Sequence, residues 1–401
     1  MNTAGAILVS LAMAGVALPA SAAAPERWAG AWGYAPASAG EHDAPLPPGT
    51  YRYRVRLTQA GSGLMLTFSN AEGAEAVAIA AVSIGEAASE EGVAIRTGSM
   101  RPVRFSGSRG AALPPGRTML SDAVDIAAEV GRDMIVSVTF STPTRPARTN
   151  LGLPMAFAPG LTADDAPGDS RFERIQARAY LSLVSVRDPR ANCTVVAFGD
   201  SITDGYLALS TETRGWPGRL SERLAALAPE RRCGVVNMGI SANRMLNGGR
   251  AVPALDRFWR DVASVPGVTH VVLLEGINDI GNSGRDGNAT VDAAALVDGY
   301  RQFVRRAHAL GIRVIGATIT PALGAGYMSP EKERVRASVN DSIRTGQLFD
   351  GMVDFDAAVR DPANPTRLRP AFDPGDHLHP NDDGLRAMGE AIDLSLLKPS
   401  D

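Results

Sequence analysis

Cysteine, histidine and aromatic residues are all scarce in this 401-residue chain, and each scarcity closes off a class of function. The two cysteines, Cys193 and Cys233, and the five histidines, His42, His270, His308, His377 and His379, show no metal-ligand spacing, and no glycine-rich loop is present to cradle a phosphate. No metal or cofactor is therefore called for. Aromatic residues make up only 5% of the chain, and none forms a platform on which sugars would obviously stack. Trp28, Trp32 and Trp216 are expected to pack in a core or between domains rather than to stack on sugars, although the position of Trp216 after the nucleophile loop also makes it a candidate cleft residue. Charge of either sign is not in excess: 40 basic against 43 acidic residues leave a net charge of −3, which implies no polyanion-binding face and no nucleic-acid partner. Internal repeats and low-complexity tracts are also missing.

Long apolar runs are confined to the amino terminus, where Ala6 to Leu18 precede the small-residue stretch Pro19-Ala20-Ser21-Ala22-Ala23. That order of an apolar run and a small-x-small site predicts a cleaved export signal over residues 1–23, with the mature chain starting near Ala23 or Ala24. No Lys or Arg precedes Arg27, so the positive end of the signal is the amino group alone. The alternative is an uncleaved anchor, but the run is shorter than a bilayer span requires. The expected location is secreted or periplasmic, without stable membrane insertion after cleavage.

The rest of the chain is too long for one ordinary core and changes texture near Arg187-Asp188-Pro189-Arg190, which predicts domains over residues 24–187 and 188–401. In the first, Tyr51, Tyr53, Val55 and Leu57 alternate with Arg52, Arg54 and Arg56, and Gly61-Ser62-Gly63 leads into Leu64–Phe68, a hairpin-like pair. Further strand candidates are Val77–Ile84, Val103–Phe105, Ile135–Phe140 and Tyr180–Val186. Short strands with Gly/Pro-rich turns imply an all-β sandwich or jelly roll, with Pro143–Asp169 as a long surface connection. In the second, Val/Ile-rich runs at 194–198, 235–237, 271–275, 313–318 and 352–355 alternate with helical stripes. Leu220, Leu224 and Leu227 make one stripe; Tyr300, Phe303, Val304, Ala307 and Leu310 make another, stopped by Gly311. This is the pattern of an α/β domain with parallel strands and crossover helices.

Four turns at the carboxyl ends of these strands carry chemistry. Gly199-Asp200-Ser201-Ile202 follows the first run, and far downstream stands Asp376-His377-Leu378-His379-Pro380. A serine hydroxyl is a poor nucleophile until an imidazole takes its proton, and the imidazole needs a carboxylate to hold its tautomer. Ser201, His379 and Asp376 can fill these roles. Donors for a developing oxyanion are offered by the backbone of Gly239 in Asn237-Met238-Gly239 and the amide of Asn278 in Gly276-Ile277-Asn278-Asp279. Taken singly, each has a plainer reading as a turn, a cap or a helix start. Taken together, all fall on the strand-end rim where open α/β sheets bind ligands. His377 and Arg244 are assigned structural roles, and Asp200 the anchoring of its turn.

The blocks Gly-Asp-Ser-Ile-Thr-Asp-Gly, Asn-Met-Gly-Ile-Ser-Ala-Asn-Arg, Glu-Gly-Ile-Asn-Asp-Ile-Gly and Asp-His-Leu-His-Pro-Asn-Asp resemble the signature blocks of the SGNH (GDSL) hydrolase family, in the family's order, over residues 190–398. The only departure is Ile202 where the name-giving motif has leucine, and that side chain is not a reacting group. The resemblance implies a flavodoxin-like, doubly wound five-stranded parallel sheet. It also implies Ser201 as nucleophile and first oxyanion donor, Gly239 and Asn278 as further donors, and Asp376 with His379 as the rest of a triad. A β-domain ahead of such a domain is similar to the secreted bacterial branch related to arylesterases and acetylxylan esterases. The reading is therefore an exported serine esterase for small-molecule or carbohydrate esters, with short acyl groups preferred. Rim loops Leu207–Gly215, Asn243–Arg250, Gly281–Thr290 and Pro321–Pro330 would set specificity. A transacylase using the same triad, or a carbohydrate-binding non-enzyme, are the alternatives. The β-domain could bind polysaccharide, wall the cleft or act as scaffold, and the oligomeric state is undetermined.

Export bears on the cysteines. Cys193 and Cys233 each lie six residues before the glycine that ends a strand segment, Gly199 and Gly239, so on neighbouring strands the sulfurs would sit at one height. A disulfide is expected, worth roughly 4 kcal/mol in the chain-entropy model; two buried thiols are the alternative.

Overall fold

The structure, a computed structural model, describes residues 26–39, 44–148, 155–161, 168–175, 177–178, 180–206, 215–248, 251–285 and 287–399. The expected export signal lies outside the described residues, as do 207–214, 249–250 and 286 of the rim loops.

Through Arg187 the described chain is antiparallel β. One sheet runs in the order Trp28–Gly33, Leu181–Arg187, Leu64–Ser69, Thr118–Leu120. The other runs Glu173–Arg174, Met155–Pro159, Gly49–Arg56, Asp133–Phe140, Val77–Glu86, Arg101–Val103, with Ala111–Leu113 also on Val77–Glu86. Alternating apolar residues of both sheets, such as Tyr51, Val55, Leu66, Phe68, Val136, Phe140 and Val184, bury into one shared core.

Two expectations for this region are corrected. Gly49–Arg56 and Leu64–Ser69 do not form a hairpin; they lie in different sheets, because Leu57–Gly63 crosses between them. Pro143–Asp169 is not simply a surface connection, since the apolar run Met155-Ala156-Phe157-Ala158 is buried as a strand against Gly49–Tyr53. On the outer face of Gly49–Arg56, Arg52 is 1% exposed, donating to Ser137 Oγ and to the carbonyls of Val93 and Gly168, with its guanidinium 4.2 Å over the Phe172 ring. A long side chain lets an arginine lie under covering loops while its head finds oxygen acceptors.

From Thr194 onward the chain is α/β. Strands β1 (Thr194–Gly199), β2 (Gly234–Gly239), β3 (Val268–Leu274), β4 (Arg313–Ala317) and β5 (Gly351–Val353) pair in parallel in the order β2-β1-β3-β4-β5, the flavodoxin-like doubly wound arrangement. Helices α1 (Ser201–Asp204), α2 (Gly215–Ala225), α3 (Ile277–Asn282), α4 (Ala293–His308), α5 (Pro330–Thr345), α6 (Phe355–Val359) and α7 (Asp382–Ala391) connect and cover it. The stripe of α4 buries Tyr300, Phe303, Val304 and Ala307, but Leu310 lies past the helix end and is exposed. Gly311 follows with φ 71°, a left-handed turn that glycine adopts without Cβ strain.

Cys193 and Cys233 are disulfide-bonded, with Cα atoms 4.6 Å apart. Register explains the bridge: Thr194 pairs with Gly234 and Gly199 with Gly239, so the residues just before each strand are neighbours.

The β-region covers the open edge of the parallel sheet. Strand Trp28–Gly33 packs against β2, Tyr34 bridges to Asn237, and Thr58 Oγ1 donates to the Val235 carbonyl while accepting from the Val235 N–H. An edge strand presents unpaired backbone groups, and here side chain and strand from the amino-terminal region satisfy them. The close approach needs small residues: a Cβ on Gly30 would lie 2.8 Å from Val236.

Candidate active site

Ser201 stands where β1 ends. Asp200, in extended conformation, caps α1 by accepting from the Ile202 N–H at 2.9 Å, which makes Ser201 the first helical residue. The first N–H groups of a helix have no partner within it, and the Ser201 N–H is the first of them in α1. Ser201 and Asp200 are both buried, at 7% and 1% exposure.

The distant Asp376-x-x-His379 closes on this serine. Ser201 Oγ lies 2.8 Å from His379 Nε2, and His379 Nδ1 lies 2.6 Å from Asp376 Oδ2. The other oxygen of Asp376 accepts from the N–H groups of Leu378 and His379, at 2.9 and 3.0 Å. A carboxylate only accepts, so Nδ1 carries the ring proton and Nε2 presents its lone pair to the hydroxyl. Burial opposes the Asp376 charge, but the hydrogen bonds from His379 and Leu378 outweigh it and hold the carboxyl below its ordinary range. Burial also lowers the His379 pKa below the ordinary 6.5, with Asp376 offsetting only part. The imidazole is therefore neutral at pH 7. Tyr206 lies against its face, ring centroids 4.4 Å apart.

Since only neutral His379 can accept a proton, kcat/KM for an ester is expected to be level at pH 7 and to fall on acidification, with its midpoint below 6.5. A pH-rate profile checks this; a midpoint above 6.5 contradicts it.

On the other side of Ser201, the three proposed donors differ. Asn278, the second residue of α3 and 7% exposed, donates through Nδ2 to the Asn243 carbonyl at 3.0 Å, which leaves its second amide hydrogen. Gly239 sits at the end of β2 against α1; a Cβ there would fall 2.2 Å from the Asp204 nitrogen, so only glycine allows the approach. Its N–H, however, donates to Asn237 Oδ1 at 2.9 Å, so an oxyanion meeting Gly239 shares that hydrogen with the Asn237 amide. Asn237 is held in turn through Nδ2 by the Thr203 carbonyl.

For Trp216 the sequence left two readings, packing and a place in the cleft, and the structure gives the first. It is fully buried in α2, packed on Phe355, and faces the core. His377 pairs with Asp373 at 2.6 Å, and Arg244 donates to Asn288. Other residues were missed. Asn243, inside one of the recognised blocks, receives both Asn278 and Arg257. Asp279, beside Asn278, accepts from the N–H groups of Met245 and Leu246 and so pins that loop under the rim. Burial raises the Asp200 carboxyl to about 7 and that of Asp279 to about 6. Tyr327 lies outside every block, and its hydroxyl reaches Asn278 Oδ1 at 3.3 Å. Among the described residues no group of acidic, histidine and cysteine side chains could hold a metal ion.

Residues 197–387 match the GDSL-like Lipase/Acylhydrolase family. Among solved structures, an acetyl xylan esterase from Geobacillus stearothermophilus is 23% identical, covering 52% of this chain and 95% of its own, with a TM-score of 0.39. A GDSL-like lipase from Bacteroides thetaiotaomicron is 20% identical, covering 51% of this chain and 88% of its own, with a TM-score of 0.37. No curated protein matches the chain. With its parallel sheet and its four strand-end blocks in order, the segment from Ala197 to Ala387 belongs to the GDSL-like acylhydrolases, a family of carboxylic ester hydrolases, and is joined here to an antiparallel β-region.

Proposed function

We propose that the protein is an exported serine esterase that removes short acyl groups, acetyl above all, from carbohydrate or aryl alcohols. The observation that carries this reading is the hydrogen-bonded chain from Ser201 through His379 to Asp376, at 2.8 and 2.6 Å, beside an amide donor on the strand-end rim. Ser201 attacks the ester carbonyl as His379 takes its proton, and Asp376 stabilises the imidazolium. The oxyanion is met by the Ser201 N–H and Asn278 Nδ2, with Gly239 as a shared donor. His379 then protonates the leaving alcohol, and water releases the acyl group by the same steps in reverse roles.

The short-acyl preference follows from what lines the rim. Tyr206, Ser241, Asn278 and Tyr327 bring hydroxyls and an amide, and among the described residues the exposed large apolar side chains are Leu120, Val252, Trp259 and Leu310. A long acyl chain gains its binding energy by leaving water for an apolar lining. The test is hydrolysis of p-nitrophenyl acetate, butyrate and a long-chain homologue. Acetate and butyrate are expected to be cleaved faster at equal concentration; preference for the long chain sinks the short-acyl reading, and no cleavage of any sinks the esterase. Export is checked by sequencing the amino terminus of material outside the cytoplasm, which is expected to begin near Ala23 or Ala24.

A further inference from the structure

We infer that Tyr327 is a positioning residue for oxyanion stabilisation, its hydroxyl holding the Asn278 side chain in the orientation that directs an N–H toward the reacting carbonyl. This rests on the serine-esterase reading and adds a residue from outside the four blocks.

Both ends of the Asn278 amide are engaged. Tyr327 donates to Oδ1 at 3.3 Å, and Nδ2 donates to the Asn243 carbonyl at 3.0 Å. A flip of the amide would set Oδ1 against the Asn243 carbonyl oxygen, two acceptors with no hydrogen between them, and would leave the tyrosine facing an NH2. With the amide fixed this way, one Nδ2 hydrogen is taken by Asn243 and the other remains for the substrate. Donation into Oδ1 also polarises the amide and strengthens its N–H as a donor.

The tyrosine itself is seated by its surroundings. A Cβ on Gly281 would fall 2.1 Å from the Tyr327 ring, so the ring occupies a space that only glycine leaves open, one turn along α3 from Asn278. Lys332 Nζ donates to the Gly281 carbonyl at 2.6 Å and to the Tyr327 carbonyl at 3.2 Å, tying the loop to α3. Ser329, two residues on, caps α5 by accepting from the Lys332 N–H. Burial, with Asp200 and Asp376 nearby, pushes the phenol pKa above its ordinary value, so the hydroxyl keeps its proton and remains a donor throughout the working pH range.

The experiment is a double-mutant cycle on p-nitrophenyl acetate hydrolysis. Tyr327→Phe keeps the ring in its seat and removes only the hydroxyl; kcat is expected to fall about tenfold, the size of one lost hydrogen bond, with KM and Tm unchanged. Asn278→Ala alone is expected to lose about a hundredfold or more in kcat. In that background Tyr327→Phe is expected to cost nothing further, because the group it positions is gone. The inference is overturned by an undiminished kcat in Tyr327→Phe, by an equal loss with and without Asn278, or by a loss that tracks a fall in Tm. An inactive parent enzyme overturns the esterase reading and this inference with it, whereas an active parent with an indifferent Tyr327→Phe overturns the inference alone.

Discussion

Ser201→Ala is expected to lower kcat for an activated acetyl ester by at least about a thousandfold, because nucleophile and base act as a unit and neither substitutes for the other. Stability should barely change. The hydroxyl touches only His379, the residue occupies the first position of a short helix, and alanine is a better helix former than serine. The cap on α1 comes from Asp200, which the substitution leaves in place. The residual rate would be that supplied by the Ser201 N–H and Asn278 acting on a bound ester attacked directly by water. A variant that kept a tenth or more of the parent activity would mean that hydrolysis proceeds through some other group, and the assignment of Ser201 would fall.

The second large effect is expected on folding, at Arg257. Its side chain is fully buried, stacked 3.7 Å from the Phe198 ring centroid, and its guanidinium donates to four places: Asn243 Oδ1 at 2.7 Å, the Met238 carbonyl at 2.7 Å, the Gly199 carbonyl at 2.9 Å and Asp261 at 2.9 Å. Those partners are the last strand residue before Asp200-Ser201, the residue before Gly239, and the residue that receives Asn278. One planar cation thus ties together the strand ends that lead to Ser201 and Gly239, and reaches Asn278 through Asn243, which accepts its amide. Burial lowers its pKa, while Asp261 and Glu275 pull the other way. Arg257→Ala takes the cation away from buried Glu275, removes the donor to Asn243 Oδ1 and to the Met238 carbonyl, and leaves Asp261 with Arg260 as its remaining cation; a loss of about 3–5 kcal/mol in folding free energy is expected from urea denaturation. Arg257→Lys should recover little, since one ammonium cannot reach acceptors that the guanidinium fork meets in several directions. A loss under about 1 kcal/mol in Arg257→Ala would show that the clamp does not hold the rim together.

How legible these features were depended on how local their causes are. The strands of the parallel sheet announce themselves because a strand covered on both faces must be apolar along its length, as Val195-Val196-Ala197-Phe198 and Val271-Val272-Leu273-Leu274 are. The disulfide was readable for the same reason: a parallel ladder keeps register, so equal spacing from Gly199 and Gly239 became equal height. The β-region was less transparent. Gly61-Ser62-Gly63 looks the same whether the chain reverses within one sheet or crosses to another, and only the packing of Leu64, Leu66 and Phe68 against the opposite sheet chose the crossing. The burial of Arg52 and Arg54 was not legible, because nothing near them in sequence tells of the loops that cover them.

The sequence alone determined the class of reaction and the candidate reacting side chains, because Ser201, Asp376, His379, Gly239 and Asn278 sit in short turns whose residue types suit proton transfer and close backbone approach. Tertiary structure alone decided how those groups are aimed. The guanidinium of Arg257, the hydroxyl of Tyr327 and the Thr58 hydroxyl on the sheet edge come from segments distant in sequence, and each acts through a hydrogen bond whose partner no local pattern reveals. Such bonds form where folding leaves a buried polar group to be satisfied, so they are fixed by which surfaces meet rather than by any motif.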